Sequence, residues 1–146
     1  MGTQTVSFTK GQYEALAAFR HALRRFLRFS EEAARAHGVT PQQHQLLLAI
    51  KGFPGRDWAT IRELAERLQL RHHSVVGEID RAVAAGLVER SPHAADRRAV
   101  EVRLTAAGQA VLAALTAVHQ EELRGVHRAL AALATGSAMS EGEPRS

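Results

Sequence analysis

The chain has 146 residues, of which 45% are apolar and 23% charged, and its formal net charge is +4 with histidine neutral. This composition is globular, and the length allows one domain with a hydrophobic core. There is no cysteine, which excludes disulfides, thiolate metal sites and thiol redox sensing. No apolar run approaches the roughly 20 residues of a membrane span, and the first residues lack the pattern of a secretory signal. We therefore expect a cytoplasmic protein with no membrane partner.

The positive charge is carried mainly by arginine. Among the 19 basic residues only Lys10 and Lys51 are lysine, which leaves 17 arginines. A small, basic, arginine-rich domain favours a polyanion such as nucleic acid as its partner. Charge alone is a weak argument, because genomic base composition also selects arginine over lysine.

The first predicted element is a long helix over residues 9–37. Gly38 supplies its C-terminal stop. One apolar stripe recurs at alternating steps of three and four, the spacing of a single helix face: Leu16, Phe19, Leu23, Phe26, Ser30, Ala33 and His37.

Two N-terminal caps place the next helices. Thr40 followed by Pro41 predicts a helix start. Gly52 ends that helix before a loop rich in glycine and proline, which is followed by a short strand at Trp58–Ala59. Residues 60–63 read Thr-Ile-Arg-Glu, a capping box that starts a further short helix.

A tight turn at residues 69–70 separates this short helix from another, which runs from about residue 72 to 85 and stops at Gly86. Two helices joined by so short a turn pack against each other. We expect the contact to be made by apolar residues at helical spacing: Leu64, Ala65, Leu68, Leu70, Val75, Ile79 and Val83.

Residues 87–91 and 100–104 alternate apolar with polar side chains and predict the two strands of a hairpin. Thr105 then caps a helix that extends to about residue 133, in which Gly125 is a candidate break point. Residues 135–146 are small and polar and predict a frayed tail. The apolar stripe of this last helix contains Val111 or Leu112, Leu115, Val118, Glu122, Val126, Leu130 and Leu133.

Two short helices joined by a tight turn and followed at once by a hairpin define a winged helix-turn-helix. The second helix is slim enough to enter the DNA major groove, and the hairpin tip reaches the backbone or the adjacent minor groove. Asp96, Arg97 and Arg98 lie at that tip, and an arginine there can enter a narrow minor groove, where the negative potential is strongest. The predicted fold class is mainly α with a small β wing: a winged lobe plus long N- and C-terminal helices.

The run from residue 86 to 108 closely resembles the wing of the MarR family of bacterial transcriptional regulators. That family's pattern is a Gly-hydrophobic-Val-x-Arg strand, an Asp-x-Arg wing, a second strand, and Leu-Thr-x-x-Gly at the start of a helix. Residues 63–86 resemble the family's helix-turn-helix, and the resemblance spans about residues 40–120. The positions that match are Gly86, Leu87, Val88, Arg90, Asp96, Arg98, Leu104, Thr105 and Gly108.

The resemblance implies a homodimer that binds double-stranded DNA. Residues 1–146 would form a single domain, with dimerisation helices at 9–37 and 105–133 and a DNA-binding lobe at 40–104. The two apolar stripes agree with this, because nothing else in the chain covers them and a second copy would bury them. The implied function is sequence-specific regulation by a ligand-responsive repressor on a pseudo-palindromic operator.

The same resemblance places DNA contacts at the start of the second helix, where free N–H groups favour phosphate, and on the wing. Asp96 is expected to orient an arginine or close the wing loop, because phosphates repel a carboxylate. Arg90 either reaches phosphate or buttresses the wing. Gly77 departs from the family, in which many members carry a polar residue at this position. The predicted DNA contacts are Arg71, His72, His73, Ser74, Arg81, Arg90, Arg97 and Arg98.

Family members often bind small aromatic anions in a cleft between the dimerisation helices and the winged lobe. Such an effector is the expected small-molecule partner, and no cofactor is predicted. In the alternative interpretation Phe26 and Leu48 are core residues and Arg28 is a solvated charge. The candidate effector contacts are Phe26, Arg28, His44, Leu48 and Trp58.

Three other functions compete with this one. Zinc sensing, which some family members perform, would use His44, but no His-x-x-x-His or His-x-x-His pair anchors a site. A winged helix used only for protein contact conflicts with the basic hairpin tip. An enzyme is not expected, because no phosphate-binding glycine loop, nucleophile elbow or zinc-protease motif is present. The further histidines available to a zinc site are His21, His37, His119 and His127.

Overall fold

The computed structural model describes residues 2–3 and 5–138, with side chains up to residue 135. Five helices and three strands make up this part of the chain. Within it, no helix is both long and apolar enough to cross a bilayer. In chain order the elements are α1 (Lys10–Ala36), α2 (Pro41–Lys51), β1 (Trp58–Thr60), α3 (Ile61–Leu68), α4 (His72–Ala84), β2 (Val88–Pro92), β3 (Val100–Leu104) and α5 (Ala106–Ala138).

Local signals fix where α1 ends and α2 begins. Gly38 takes a left-handed φ of +79°, and the Val39 N–H donates to the Ala34 carbonyl at 3.1 Å, which closes the last turn of α1. The Thr40 hydroxyl accepts the Gln43 N–H, and the Gln43 side chain accepts the Thr40 N–H, both at 3.0 Å. These reciprocal bonds confirm the predicted start of α2.

A second capping box starts α3, as predicted. The Thr60 N–H donates to the Glu63 carboxylate at 3.0 Å, and the Glu63 N–H donates to the Thr60 hydroxyl at 3.3 Å. The helix ends at Gln69, whose φ of 53° is left-handed. This reversal leads into α4 within a few residues and produces the helix-turn-helix.

The three strands form one antiparallel sheet in the order β1-β3-β2. β2 and β3 pair as a hairpin, with Val88 opposite Leu104 at its base. β1 adds to the other edge of β3, with Trp58 opposite Arg103. We call the hairpin and its loop, residues 88–104, the wing.

The hydrophobic core lies among α2, α3, α4 and the sheet, and the end of α1 and the start of α5 add to it. Leu70 and Val83 were expected there, but they are 44% and 38% exposed, so that expectation is wrong. Leu70 follows the turn, and Val83 lies about 80° around α4 from Val75 at about 100° per residue, whereas Ala82 lies closer to the buried stripe and is fully buried. The largest fully buried side chains are Leu46, Leu47, Ile50, Leu64, Ile79, Leu115, Val75 and Val102.

α5 runs without interruption through Gly125, so the expected break there is wrong. One glycine costs a long helix about 1 kcal/mol and does not end it. Thr105 caps α5 as predicted: its hydroxyl accepts the Gly108 N–H at 3.1 Å and donates to the Gly86 carbonyl at 2.6 Å. Of the expected frayed tail, residues 135–138 belong to α5, and residues 139–146 lie outside the described part of the chain.

The chain divides into two compact units. Residues 31–118 form one, which contains the helix-turn-helix and the wing, and the described residues before 31 and after 118 form the other. The first unit is larger than the lobe expected at 40–104, because it includes the end of α1 and the start of α5. Large apolar side chains of the second unit are exposed: Val6, Phe8, Tyr13, Leu16, Leu27, Leu123 and Leu130.

Candidate nucleic-acid interface

The first turn of α4 has no side-chain cap. Arg71 occupies the N-cap position, and its carbonyl accepts the N–H groups of Ser74 and Val75 at 3.0 and 3.1 Å. The N–H groups of His72 and His73 precede these and have no carbonyl one turn before them within the helix. A helix start with free donors and the positive end of the helix dipole favours an anion such as phosphate. Arg71, His72 and His73 are exposed there, and Ser74 is half-buried.

Arg81 is positioned by a neighbour that sequence analysis did not consider. Its guanidinium lies 3.0 Å from the Glu78 carboxylate, which is mostly buried. The same guanidinium lies beside Gly77, where a Cβ atom would be 3.4 Å from Arg81 Nη1. A methyl group at Gly77 would therefore only come into van der Waals contact with the flexible end of Arg81.

Arg90 on β2 forms an ion pair with Asp80 on α4. The pair ties the wing to the helix, which favours the buttressing interpretation of Arg90. Both side chains are at least one-third exposed, so the pair contributes at most about 1 kcal/mol to stability. A phosphate contact by Arg90 stays a prediction.

The loop of the wing is closed by Asp96. Its carboxylate accepts the Arg98 N–H at 2.9 Å, and its carbonyl accepts the Ala99 N–H at 3.1 Å. The carboxylate is therefore turned to the loop's own backbone, as one of the two expected roles requires. The side chains of Arg97 and Arg98 are exposed at the tip.

His93 organises the other half of the loop, and sequence analysis missed it. Its Nδ1 atom accepts the N–H groups of Ala95 and Asp96 at 2.9 and 3.3 Å. Its ring meets Trp58 of β1 edge to face, with the ring centroids 5.2 Å apart. No local pattern indicates this role, because Trp58 lies 35 residues earlier in the chain.

Trp58 belongs to a cluster of aromatic rings around Arg56. The guanidinium carbon of Arg56 lies 3.9 Å from the Trp58 ring centroid and 4.2 Å from that of Phe53, within the range of cation–π attraction. Arg56 also pairs with Glu63 of α3. Burial alone would raise the pKa of Glu63, but its hydrogen bonds with Thr60 and the charge of Arg56 hold that pKa below its ordinary value.

The candidate effector contacts fall in different surroundings. Leu48 is half exposed and lines a hollow of about 190 Å³ with Ala49, Gly52 and Leu68 among others, a set that contains neither His44 nor Trp58. His44 is buried, and Trp58 packs as described above. These side chains of the first unit thus do not gather in the hollow beside Leu48. In the second unit Phe26 meets His119 edge to face at 5.8 Å, and Arg28 is exposed.

A larger open groove, with a volume of about 770 Å³, runs along α3. Sequence analysis did not find it. Phe53 and three arginines, Arg62, Arg67 and Arg71, contribute to its walls together with the carboxylates of Glu63 and Glu66. In the described chain, histidines and carboxylates form no group of three that could hold a metal ion.

The helix-turn-helix of α3 and α4, the antiparallel wing beside it and the exposed arginines at the wing tip define the class of protein. It is a winged helix-turn-helix, the arrangement that presents a helix to the DNA major groove and a hairpin to the flanking backbone.

Comparison with known proteins shows which family the chain resembles. Residues 37–99 match the sequence model of the MarR family. The described helices and three-stranded sheet have the fold of MarR structures. Over residues 37–99 and in its winged-helix fold, the chain is therefore similar to regulators of the MarR family. No curated protein sequence matches it.

Solved structures of MarR proteins resemble most of the chain. One MarR family transcription regulator is 26% identical and superposes with a TM-score of 0.67 over 90% of this chain and 93% of its own. A MarR mutant from E. coli complexed with operator DNA is 25% identical, with a TM-score of 0.62 over 81% and 83%. BpsR from Bordetella bronchiseptica, whose DNA binding is regulated by 6-hydroxynicotinic acid, is 22% identical, with a TM-score of 0.59 over 73% and 79%.

Proposed function

We propose that the chain is a ligand-responsive transcriptional repressor that binds a pseudo-palindromic operator as a homodimer. The observation that carries this proposal is the wing tip. Backbone hydrogen bonds to Asp96 and His93 close the loop, while Arg97 and Arg98 are exposed and pair with no carboxylate of the described chain. Arginines presented in this way can enter a narrow minor groove.

The start of α4 supplies the second set of DNA contacts. Arg71, His72, His73 and Ser74 surround the uncapped end of the helix, where phosphate oxygens or base edges can accept from free N–H groups. Arg81 adds positive charge further along α4. We assign phosphate contact to Arg81 and leave base readout to the first turn.

The homodimer is proposed from the second unit. Its exposed apolar side chains include Tyr13 and Leu16 on α1 and Leu123 and Leu130 on α5, each at least 45% exposed. A surface of this kind on two long helices is stabilised by burial against a second copy. Two lobes in one dimer would then reach successive major grooves about 34–36 Å apart.

The effector is proposed to be a small aromatic carboxylate or phenol. The regulation of BpsR by 6-hydroxynicotinic acid, an aromatic anion, supports this class of ligand. A ligand that binds better to a dimer with the wrong lobe spacing must weaken DNA binding by the ratio of its two affinities. Competition of such compounds against DNA, with a melting curve to show that the protein stays folded, tests this part. If no compound competes, the protein binds DNA constitutively.

Selection from a pool of random duplex DNA tests the proposal directly. The purified chain is expected to enrich a site with two related half-sites one helical turn apart, and its affinity is expected to fall steeply between low and moderate salt. Failure to enrich any duplex at low salt contradicts DNA binding. Enrichment of a single half-site contradicts the dimer arrangement.

Arg98→Ala separates the wing contact from general charge. It should weaken binding to the enriched duplex by about 1–3 kcal/mol and reduce the salt slope by about 1, while thermal stability stays unchanged because a loop-tip arginine buries little. Arg124→Ala is the matched control: it removes the same charge from an exposed α5 residue that pairs with Glu121. Equal affinity for both variants contradicts the wing assignment.

A further inference from the structure

His93 sits at the base of the wing loop, directly after β2 ends at Pro92. Its own N–H donates to the Ala99 carbonyl at 3.1 Å, so the residue marks the point where the two strands stop pairing. Its Nδ1 atom accepts from Ala95 at 2.9 Å and from Asp96 at 3.3 Å. The His93 side chain thus fixes the backbone of the two residues that come directly before the exposed Arg97 and Arg98.

The protonation state of this imidazole follows from its contacts. A backbone N–H can only donate, so the Nδ1 atom that faces two of them must carry a lone pair and no hydrogen. A protonated imidazole has a hydrogen on both ring nitrogens. Its Nδ1–H would point at two further donors, and neither hydrogen bond could form. The observed loop therefore requires neutral His93.

The imidazole is also held from the sheet side. Its ring packs edge to face on Trp58 at 5.2 Å, and Arg56 lies against the same indole, 3.9 Å from the ring centroid. The loop of the wing is thereby anchored to β1 as well as to its own two strands. The charged groups on the elements around the ring include several ion pairs and the arginines of the tip. They are Arg56 and its partner Glu63, Asp57 beside Trp58, Glu89 and Arg90 on β2, the ion pair of Glu101 and Arg103 on β3, Asp96 in the loop, and Arg97 and Arg98 at the tip.

We propose that His93 is a positioning residue for the wing and that DNA binding by Arg97 and Arg98 requires its neutral form. The inference rests on the proposed DNA-binding function. Histidines generally change charge between about pH 5 and 8, so acidification within that range releases the loop and weakens the wing contact. The expected regulation is a loss of wing-dependent affinity in mild acid.

Two substitutions separate the acceptor from the charge. In His93→Asn the side-chain oxygen can accept the same N–H groups but cannot be protonated in this range. In His93→Ala the acceptor is lost at every pH. The probe is the duplex enriched by selection, labelled and titrated with each protein at about pH 7.5 and about pH 5.5 at one salt concentration. His72 and His73 are the same in all three proteins, so any effect that they have on DNA binding cancels in the ratios.

At about pH 7.5 we expect His93→Asn to bind within about twofold of the unmodified chain and His93→Ala to bind roughly fivefold more weakly, the factor for one hydrogen bond. At about pH 5.5 the unmodified chain should lose roughly fivefold relative to His93→Asn. The proposal is overturned if the affinity of the unmodified chain relative to that of His93→Asn does not change with pH. It is also overturned if folded His93→Ala binds with full affinity at about pH 7.5.

Amide NMR signals give a readout that needs no DNA. The signals of Ala95 and Asp96 should shift on acidification in the unmodified chain, and should stay in place in His93→Asn. If the chain enriches no duplex but these signals shift, the proposed function fails while His93 still controls the loop. If the duplex binds but the signals respond identically in both proteins, the positioning role fails and the proposed function stands.

Discussion

Gly108→Ala is expected to destabilise the protein although alanine is the better helix former. A Cβ atom at Gly108 would lie 2.0 Å from the Leu87 carbonyl oxygen and 3.0 Å from its carbon. The obstacle is backbone, so relief requires the start of α5 to move roughly 1 Å away from the strand that follows Leu87. That movement strains two hydrogen bonds of Thr105, from its N–H to Leu87 at 3.0 Å and from its hydroxyl to Gly86 at 2.6 Å.

The change in the free energy of unfolding on Gly108→Ala is the difference between opposing contributions. Helix propensity favours alanine by about 1 kcal/mol. Overpacking costs about 1–3 kcal/mol, and each weakened hydrogen bond costs about 0.5–1.5 kcal/mol. We expect a net loss of roughly 3 kcal/mol, which for a chain of this length lowers the Tm by about 6–12 °C.

Thermal unfolding followed by circular dichroism measures this loss. All proteins are compared at equal protomer concentration, because the Tm of an oligomer depends on concentration. Gly77→Ala is the control: it places the same methyl group inside α4, where a Cβ meets only the flexible end of Arg81 at 3.4 Å. It should raise the Tm by about 2–4 °C. If folded Gly108→Ala melts at or above the unmodified chain while Gly77→Ala behaves as stated, the packing argument is wrong.

Glu63→Gln should lower stability by up to about 1 kcal/mol at neutral pH, because it removes the charge that faces Arg56 while glutamine can keep the capping bond to Thr60. The pKa of Glu63 lies below its ordinary value of 4.5 when folded, so this stabilisation is present above that value and is lost as the pH falls through the folded pKa. Urea melts of both proteins should therefore converge in strong acid, and a constant gap would contradict the pairing. Leu16→Glu should shift the protein from dimer to monomer in sedimentation velocity, whereas the equally exposed Leu48→Glu should not; dissociation by neither or by both would refute a dimer formed through α1.

The positions of the secondary-structure elements were predictable because their signals are local. Thr40 and Thr60 start helices through bonds to residues three positions later, and Gly38 ends one through a φ that other residues rarely adopt. Such interactions depend on a few neighbouring side chains and do not need the rest of the chain. The order of elements and the wing followed from them.

The failures concern interactions between residues distant in sequence. Val83 continues the steps of four from Val75 and Ile79, but these steps turn it about 80° around α4 from Val75, and it is exposed. His93 joins Trp58 only because β1 pairs with the far side of β3. Periodicity reports which face of an element is apolar, not which side chains meet across a sheet. The contacts that organise the wing loop could therefore not be predicted from the sequence.

Gly77 is a further residue whose role the sequence pattern does not indicate, and we relate it to the recognition of DNA. Among the residues that the structure describes, nothing requires glycine there, since the nearest atoms to an added Cβ belong to the movable end of Arg81. The residue nevertheless lies inside a helix where it costs about 1 kcal/mol, so we expect its function to lie in the complex with DNA. Gly77→Ala should stabilise the free protein and weaken its affinity for the enriched duplex.

Two causes of that weakening can be told apart. The methyl group either meets the DNA itself or displaces the guanidinium of Arg81 from its place beside Gly77 and Glu78. A double-mutant cycle with Arg81→Ala decides between them. If displacement is the cause, Gly77→Ala has no further effect once Arg81 is gone; if close approach is the cause, its full effect persists. Unchanged or tighter binding by Gly77→Ala in the otherwise unmodified chain would show that the glycine serves neither role, and that α4 meets DNA without using the space it leaves.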